Sequence, residues 1–282
     1  MMLARMKSRV LAALLVVVAA VGTSPRLGAQ ADAYAPLDRI LDVYVRDGLV
    51  YYAALKTERA NLDRFVASLD SADSWLSNAS AAEQRAFWIN AYNALVLRTV
   101  INVYPIRGKA AGYPAESIAQ VAGGIDKVKH RVAGQLLTLE EIEKTVIAGF
   151  GDPRMLLALG RGALGGGRLR SEPYRAAQLE TQLNEAVKEF VTRLDTFRIN
   201  RTTNVVEVTP LFSWREAQFV AGFSQGGEMW ANRSPLERAL MAMSYPHLFA
   251  SEREFLALNT FTMTFGAYDW RLNDLTGGAP PR

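Results

Sequence analysis

The sequence predicts an α+β protein in which a single, mostly helical domain carries a small β-sheet or hairpin. Three observations predict it. Apolar residues recur at helical spacing in six segments, alternation typical of strands is short and rare, and neither an internal repeat nor a long linker divides the chain. We therefore expect one domain over residues 32–275, preceded by residues 1–31 and followed by a disordered tail at residues 276–282.

The first 31 residues have the features of a secretory signal peptide. Arg5, Lys7 and Arg9 precede an apolar run at Val10–Val21, and Ala29-Gln30-Ala31 offers the small residues that a signal peptidase reads. The apolar run is shorter than the roughly 20 residues that a membrane-spanning helix needs. The sequence therefore predicts export to the periplasm or the exterior, with no membrane span in the mature chain.

Removal of this segment changes the charge balance. The full chain has 32 Lys and Arg against 28 Asp and Glu, and four of the basic residues lie within residues 1–31, which hold no acid. The mature chain then has no net charge, which argues against a nucleic-acid partner. Because the chain has no Cys, its stability must come from an apolar core rather than from disulfides.

Helices are predicted from apolar periodicity and from their end signals. Ser80 and Glu83 form an S-x-x-E capping box, Pro105 cannot continue a helix, and Thr138 with Glu141 forms a second capping box. The predicted helices are Ala35–Arg46, Glu58–Ser68, Glu83–Tyr104, Leu139–Ile147, Ala177–Leu194 and Leu236–Met243.

Strands are predicted at Lys127–Val132 and Gln135–Leu137, which a turn at Ala133-Gly134 joins into a hairpin. Two further strands are predicted at Met155–Leu159 and Val205–Thr209.

The predicted helix Glu83–Tyr104 carries two amides, Asn90 and Asn93, in an almost wholly apolar surface. An unpaired buried amide costs about 1–3 kcal/mol, so both must form hydrogen bonds. Two alternatives follow: the amides bind the backbone of a neighbouring loop, or they face a pocket and hold a ligand. Most buried side-chain amides serve backbone groups, which favours the first.

Four segments, in order along the chain, resemble the domain of unknown function 547 family. FWINAYNAL at 87–95, followed by Tyr104-Pro105, is similar to the family signature, and Leu41–Leu55, His130–Glu143 and Tyr268–Asp274 resemble its entry, middle and closing segments. The resemblance covers nearly all of the mature chain and implies the family's fold. It does not imply a reaction, since the family's biochemistry is unsettled.

The resemblance also implies a thiol nucleophile with a His partner, and this chain lacks both. Leu156 stands where related sequences have the His, and Arg161 and Gly166 stand where they have Cys. None of these side chains supplies a thiol nucleophile, so the chemistry implied by the resemblance does not carry over.

The Gly-rich stretch of residues 160–167 is expected to be a relaxed, solvated loop with surface arginines. The alternative is an anion site built from its backbone and from Arg161, Arg168 and Arg170. The stretch also spells G-x-G-x-x-G, but no helix opens at its last glycine and no acid ends a following strand, so we predict no dinucleotide site and no other cofactor.

Residues 222–226 match the G-x-S-x-G motif of α/β-hydrolases, with Ser224 as nucleophile after a strand at Phe219–Ala221. His247 is the only downstream His, which leaves Glu237 or Glu228 as the acid. These intervals are too short for the strand-and-helix units that separate such residues in those enzymes. A Ser224 esterase therefore stays an alternative.

The remaining polar residues favour structural roles. The two His, His130 and His247, have no partner at metal-binding spacing, so no metal site is predicted. Asp269 lies between Tyr268 and Trp270, where it either lines a pocket or clamps the C-terminal segment.

Taken together, the sequence predicts an exported, non-catalytic binding or scaffold member of its family, with a small molecule or protein of unknown identity as its partner. A binding cleft is predicted from four side chains: Asn90, Asn93, Arg170 and Asp269. The alternative is a hydrolase, either a serine esterase using Ser224 or a degraded thiol-hydrolase-like enzyme.

Overall fold

The structure of the protein, a computed structural model, describes residues 26–223 and 228–277. It confirms a mostly helical α+β fold with small sheets. The helices are α1 Arg26–Tyr44, α2 Tyr52–Thr57, α3 Ala60–Ser68, α4 Asp73–Leu76, α5 Ala81–Val103, α6 Leu139–Glu141, α7 Arg154–Leu157, α8 Leu179–Thr192, α9 Leu211–Trp214, α10 Glu216–Phe223, α11 Pro235–Ser244 and α12 Ala250–Ala257.

Helix α5 lies at the centre of the core. Every side chain from Ala86 to Leu97 is buried, and α2 and α3 pack on the helix. Its capping box is confirmed, since the Glu83 amide donates to Ser80 Oγ at 3.3 Å and the Ser80 amide donates to the Glu83 carboxylate at 2.7 Å. The helix ends before Pro105, as predicted.

Helix α6 continues directly into a π-helical segment, Ile142–Ile147, so the predicted helix Leu139–Ile147 forms with a wider second half. The capping box at Thr138 and Glu141 is also confirmed. A π-helical turn is rare and often marks a functional site. Here it places Glu143 among buried side chains.

Among the residues that the structure describes, seven short strands form three small sheets. They are β1 Val45–Arg46, β2 Leu49–Val50, β3 His130–Val132, β4 Gln135–Leu137, β5 Phe197–Asn200, β6 Val205–Val208 and β7 Thr262–Phe265. The β3–β4 hairpin confirms the predicted turn, in which Ala133 and Gly134 both have positive φ. Asp47 and Gly48 join β1 to β2 in the same way, with φ of 51° and 80°. In the third sheet, β6 pairs antiparallel with β5 and parallel with β7.

The predicted strand Met155–Leu159 is wrong, because these residues form α7 and the turn after it. All five side chains are buried, and a continuous apolar run does not distinguish a buried strand from a buried helix. Asp152 and Pro153 before it are helix-start residues, and the Arg154 amide donates to Asp152 Oδ1 at 3.1 Å. The expected strand Phe219–Ala221 is likewise part of helix α10.

Other differences concern element ends. The predicted helix Glu58–Ser68 forms as α3, which starts at Ala60 and ends at Ser68 as predicted, while α2 is a separate short helix before it. Helix α1 starts at Arg26 rather than Ala35 and therefore includes the last six residues of the predicted signal peptide. Within the described residues, no helix is long and apolar enough to cross a bilayer.

Candidate functional site

Asn90 and Asn93 each hold a backbone segment from α5. Asn90 Nδ2 donates to the carbonyl of Tyr174 at 2.8 Å, and the Tyr174 amide donates to Asn90 Oδ1 at 2.9 Å. Asn93 Nδ2 donates to the carbonyl of Ala158 at 3.1 Å, and the Gly160 amide donates to Asn93 Oδ1 at 2.9 Å. The two amides thus fasten both ends of the segment 158–174 to the central helix. A role in ligand binding stays a prediction.

We predict that Asn93→Leu lowers the free energy of unfolding by about 2–5 kcal/mol, because it leaves a buried carbonyl and a buried amide without partners. Asn102→Leu is the matched control on the same helix, since Asn102 is exposed and only accepts from Arg59. Urea denaturation measures both variants. A loss no greater in Asn93→Leu than in the control would contradict this role.

The Gly-rich turn between these two anchors is buried, so the expected solvated loop is wrong; of the three arginines in or beside it, only Arg168 is exposed. Arg161 is 9% exposed, and every glycine of residues 160–167 is buried. A Cβ on Gly167 would lie 1.9 Å from the carbonyl oxygen of Leu157, and one on Gly166 would lie 2.7 Å from that of Gly160. Because these glycines have no side chains, two backbone segments pack directly against each other. The Gly-rich turn is therefore constrained and not relaxed.

Substitution of a single glycine tests this packing. Gly167→Ala is expected to lower the free energy of unfolding by about 3 kcal/mol or more, because the added methyl group meets rigid backbone. Gly149→Ala is the control, since no atom lies within 4 Å of its Cβ position and the residue is helical and exposed. That control should be neutral or more stable by about 0.5–1 kcal/mol. Equal effects in the two variants would show that the turn is not tightly packed.

Arg161, at one of the two positions where the resemblance implies a Cys, joins a buried ionic cluster. Arg161 donates to Glu143 twice, from Nε to Oε2 at 3.1 Å and from Nη2 to Oε1 at 3.0 Å, and Arg215 Nη2 donates to Glu143 Oε1 at 2.7 Å. Tyr92 of α5 donates its hydroxyl to Glu143 Oε2 at 3.3 Å. Arg161 Nη1 also donates to the carbonyl of Leu156, the residue at the family's His position, at 2.9 Å.

Electrostatics hold this cluster in its charged form. Burial alone would raise the pKa of Glu143, but the guanidiniums of Arg161 and Arg215 outweigh it and hold that pKa at about 2. Burial also raises the pKa of Tyr92 well above its ordinary value. A carboxylate that stays ionised between two guanidiniums has no proton to donate near neutral pH and therefore does not act as a general acid.

Arg161 has a φ of 48°, in the left-handed region that non-glycine residues rarely adopt. Such strain persists only where the surroundings fix it, and here the bonds to Glu143 and Leu156 do so. The position has an unusual backbone shape even though it carries no nucleophile.

Four aromatic rings from three segments lie beside the cluster. Trp270 contacts Tyr113, Trp214 and Tyr268 at centroid distances of 5.2, 6.1 and 4.6 Å. Tyr268 is buried against the Gly-rich turn, because its ring lies 3.0 Å from the Cβ position of Gly165. Trp214 is 44% exposed.

Asp269, within this aromatic segment, bonds to its own loop. The Arg271 amide and Nε each donate to Asp269 Oδ1 at 3.0 Å, and the Gly165 amide donates to the Asp269 carbonyl at 2.9 Å. The hydrogen bond from the Arg271 side chain is the main cause that lowers the pKa of Asp269. These contacts correspond to a clamp of the C-terminal segment on the Gly-rich turn.

Arg170 lies apart from the other three predicted cleft residues, at a cavity of about 510 Å³. Its guanidinium pairs with Glu172 at 2.8 Å and with Glu185 at 2.9 Å. The three arginines of the alternative anion site do not lie together, because Arg161 is bound to Glu143 while Arg168 and Arg170 line this separate cavity. The predicted four-residue cleft is therefore divided into three locations.

Of the predicted hydrolase residues Ser224, Glu237 and His247, the structure describes the last two. Ser224 is outside the described residues. Glu237 belongs to the capping box of α11, where it accepts from the Ser234 amide at 2.9 Å and pairs with Arg233 at 3.2 Å. His247 lies beyond the other end of α11 in a short 3₁₀ turn, Tyr245–His247, so the helix separates the two side chains. Their roles in catalysis stay predictions.

His130, the other His, is buried in the β3–β4 hairpin beside Arg98 at 3.2 Å. Burial, and then the neighbouring Arg98, lower its pKa to about 4. In the part of the chain that the structure describes, no group of three His, Asp or Glu side chains is arranged to hold a metal ion.

Residues 76–191 match the family model described as protein of unknown function, DUF547. These residues, fewer than half of the chain, are similar to that family. This confirms the resemblance over that range, which includes α5, the Gly-rich turn, Arg161 and the Arg170 cavity's α8 wall. Comparison with curated proteins gave no match, and comparison with solved structures gave none either.

The matched segment contains most of the features identified from the sequence. The sequence did not indicate that Glu143 lies at their centre. The residue lay in the acidic start of a predicted helix, where carboxylates usually face solvent near the helix N-terminus. Its π-helical setting and its partners, 18 and 72 residues downstream, had no sequence signal.

Proposed function

We propose that this protein is an exported, non-catalytic binding or scaffold member of the DUF547 family. The observation that carries the proposal concerns Arg161, which stands where the resemblance implies a thiol. Its guanidinium donates hydrogen bonds to Glu143 and to backbone carbonyls. A side chain fixed in this way stabilises the loop that it belongs to. This arrangement supports the proposal that the chain keeps the family's scaffold and lacks the thiol chemistry that the resemblance implies.

The Arg170 cavity is the binding site that this proposal favours. Of the four side chains predicted to form a cleft, Arg170 lines a cavity of about 510 Å³. A volume of about 510 Å³ lies in the range of small-molecule sites. The partner in this proposal is a small polar molecule rather than a protein surface.

A Ser224 hydrolase finds less support. The segment before Ser224 is helix α10, whereas a nucleophile elbow follows a strand. The carboxylate of Glu237, the candidate acid, already accepts from the Ser234 amide at a helix start and pairs with Arg233.

Export is part of the proposal and rests on residues 1–31. Helix α1 contains Pro36, which removes a hydrogen bond inside a helix but suits a first turn. Cleavage after Ala31 would leave Pro36 as the fifth residue of the shortened chain, closer to the helix start than in the uncleaved helix. This compatibility supports processing at that bond.

A fluorophosphonate probe of serine nucleophiles tests the central part of the proposal. We expect no labelling of the purified mature protein, and the same result for Ser224→Ala. Labelling that is lost in Ser224→Ala but kept in the control Ser213→Ala would overturn the non-catalytic proposal in favour of the esterase.

The same preparation tests export, since protein recovered outside the cytoplasm should begin at Asp32. An uncleaved N-terminus would contradict processing.

A further inference from the structure

The walls of the Arg170 cavity are rigid backbone elements. Asp47 belongs to the two-residue β1–β2 turn, whose Gly48 forms a bridge with Leu169. Arg168 packs its side chain over Gly48, with Cγ only 2.3 Å from the Cβ position that a larger residue would fill. The missing side chain at Gly48 thus fixes the stem of Arg168 beside the cavity.

Helix α8 forms the opposite wall. Glu185, Lys188, Glu189 and Thr192 line the cavity, and their spacing of three, four and seven residues places them on one face of the helix. Two chain segments far apart in sequence therefore present charged groups to one concave space.

The charges around the cavity fall into a paired set and an unpaired set. Arg170 pairs with both Glu172 and Glu185, so the paired set carries one net negative charge. Arg168 and Lys188, and likewise Asp47 and Glu189, form no ion pair and no side-chain hydrogen bond within the described residues. The unpaired set contains two cations and two anions, so its net charge is zero.

This composition restricts the ligand. A purely anionic ligand would pair with the cations but would meet Asp47 and Glu189, and a purely cationic ligand would meet Arg168 and Lys188. Apolar ligands are disfavoured because Leu169 is the one large apolar residue of the described lining. A ligand with one carboxylate and one ammonium group complements both signs.

We infer that the cavity binds a small zwitterion of the amino-acid or short-peptide class. Its carboxylate pairs with Arg168 and Lys188, and its ammonium group pairs with Asp47 and Glu189. This inference rests on the proposed binding function and adds the chemical class of the ligand. Because the unpaired side chains are partly solvated, the affinity is moderate and falls with salt.

Four dipeptide probes of nearly equal shape test the inference by isothermal titration calorimetry: Ala-Ala, N-acetyl-Ala-Ala, Ala-Ala-amide and N-acetyl-Ala-Ala-amide. They carry both charges, the carboxylate alone, the ammonium alone and no charge. Ala-Ala is expected to bind at least about tenfold more tightly than each blocked probe. Equal binding of all four, or no binding of Ala-Ala at about 10 mM, would overturn the zwitterion inference.

Two variants test which cavity residues bind the carboxylate and which bind the ammonium group of the ligand. Arg168→Gln should weaken Ala-Ala about tenfold and leave Ala-Ala-amide unchanged, while Glu189→Gln should weaken Ala-Ala and leave N-acetyl-Ala-Ala unchanged. Arg201→Gln, at an exposed arginine outside the lining, should change none of them. If Ala-Ala binds equally to all three variants, it binds elsewhere and the site is wrong. These outcomes are independent of serine labelling, which tests the proposed function alone.

Discussion

One carboxylate organises the centre of this molecule. Glu143 projects from the π-helical segment and accepts hydrogen bonds from Arg161 of the Gly-rich turn and Arg215 between α9 and α10, with the Tyr92 hydroxyl of α5 as a further donor. Removing one member of such a buried group leaves charge without a partner, which costs far more than a surface ion pair contributes. Four chain segments are thereby held in one arrangement.

The constraint explains why a Gly-rich stretch is ordered. Arg161 reaches Glu143 only if the turn follows a backbone path with φ of 48° at Arg161 and 62° at Gly162. The turn must also pass against the carbonyl of Leu157, which excludes a side chain at Gly167. Asn93 holds the start of the turn and Asn90 holds the chain beyond it. The buried amides of the central helix and the ionic cluster thus support the same segment, and they lie where the family resemblance places reactive groups.

Local signals in the sequence were sufficient for much of the fold. Capping boxes at Ser80 and Thr138 predicted where helices begin, because they satisfy backbone groups within four residues. The buried run Met155–Leu159 was misassigned because burial on all sides removes periodicity. The prediction of a solvated Gly-rich turn was also wrong. The shape of this turn depends on Glu143, which pairs with Arg161 and Arg215 through tertiary contacts. Likewise, spacing alone gave no sign that Arg170 and Asp269 lie in different places.

The most direct test of this account is an NMR titration of the Glu143 side-chain carboxyl in the folded protein, assigned with Glu143→Gln. The account predicts a pKa of about 2, well below the ordinary value of 4.5. Because the folded-state pKa is depressed, the stabilising effect of ionised Glu143 is present above pH 4.5 and is lost as the pH falls toward 2. A pKa at or above 4.5 would show that Arg161 and Arg215 do not hold this carboxylate, and it would contradict the proposed organisation of the site.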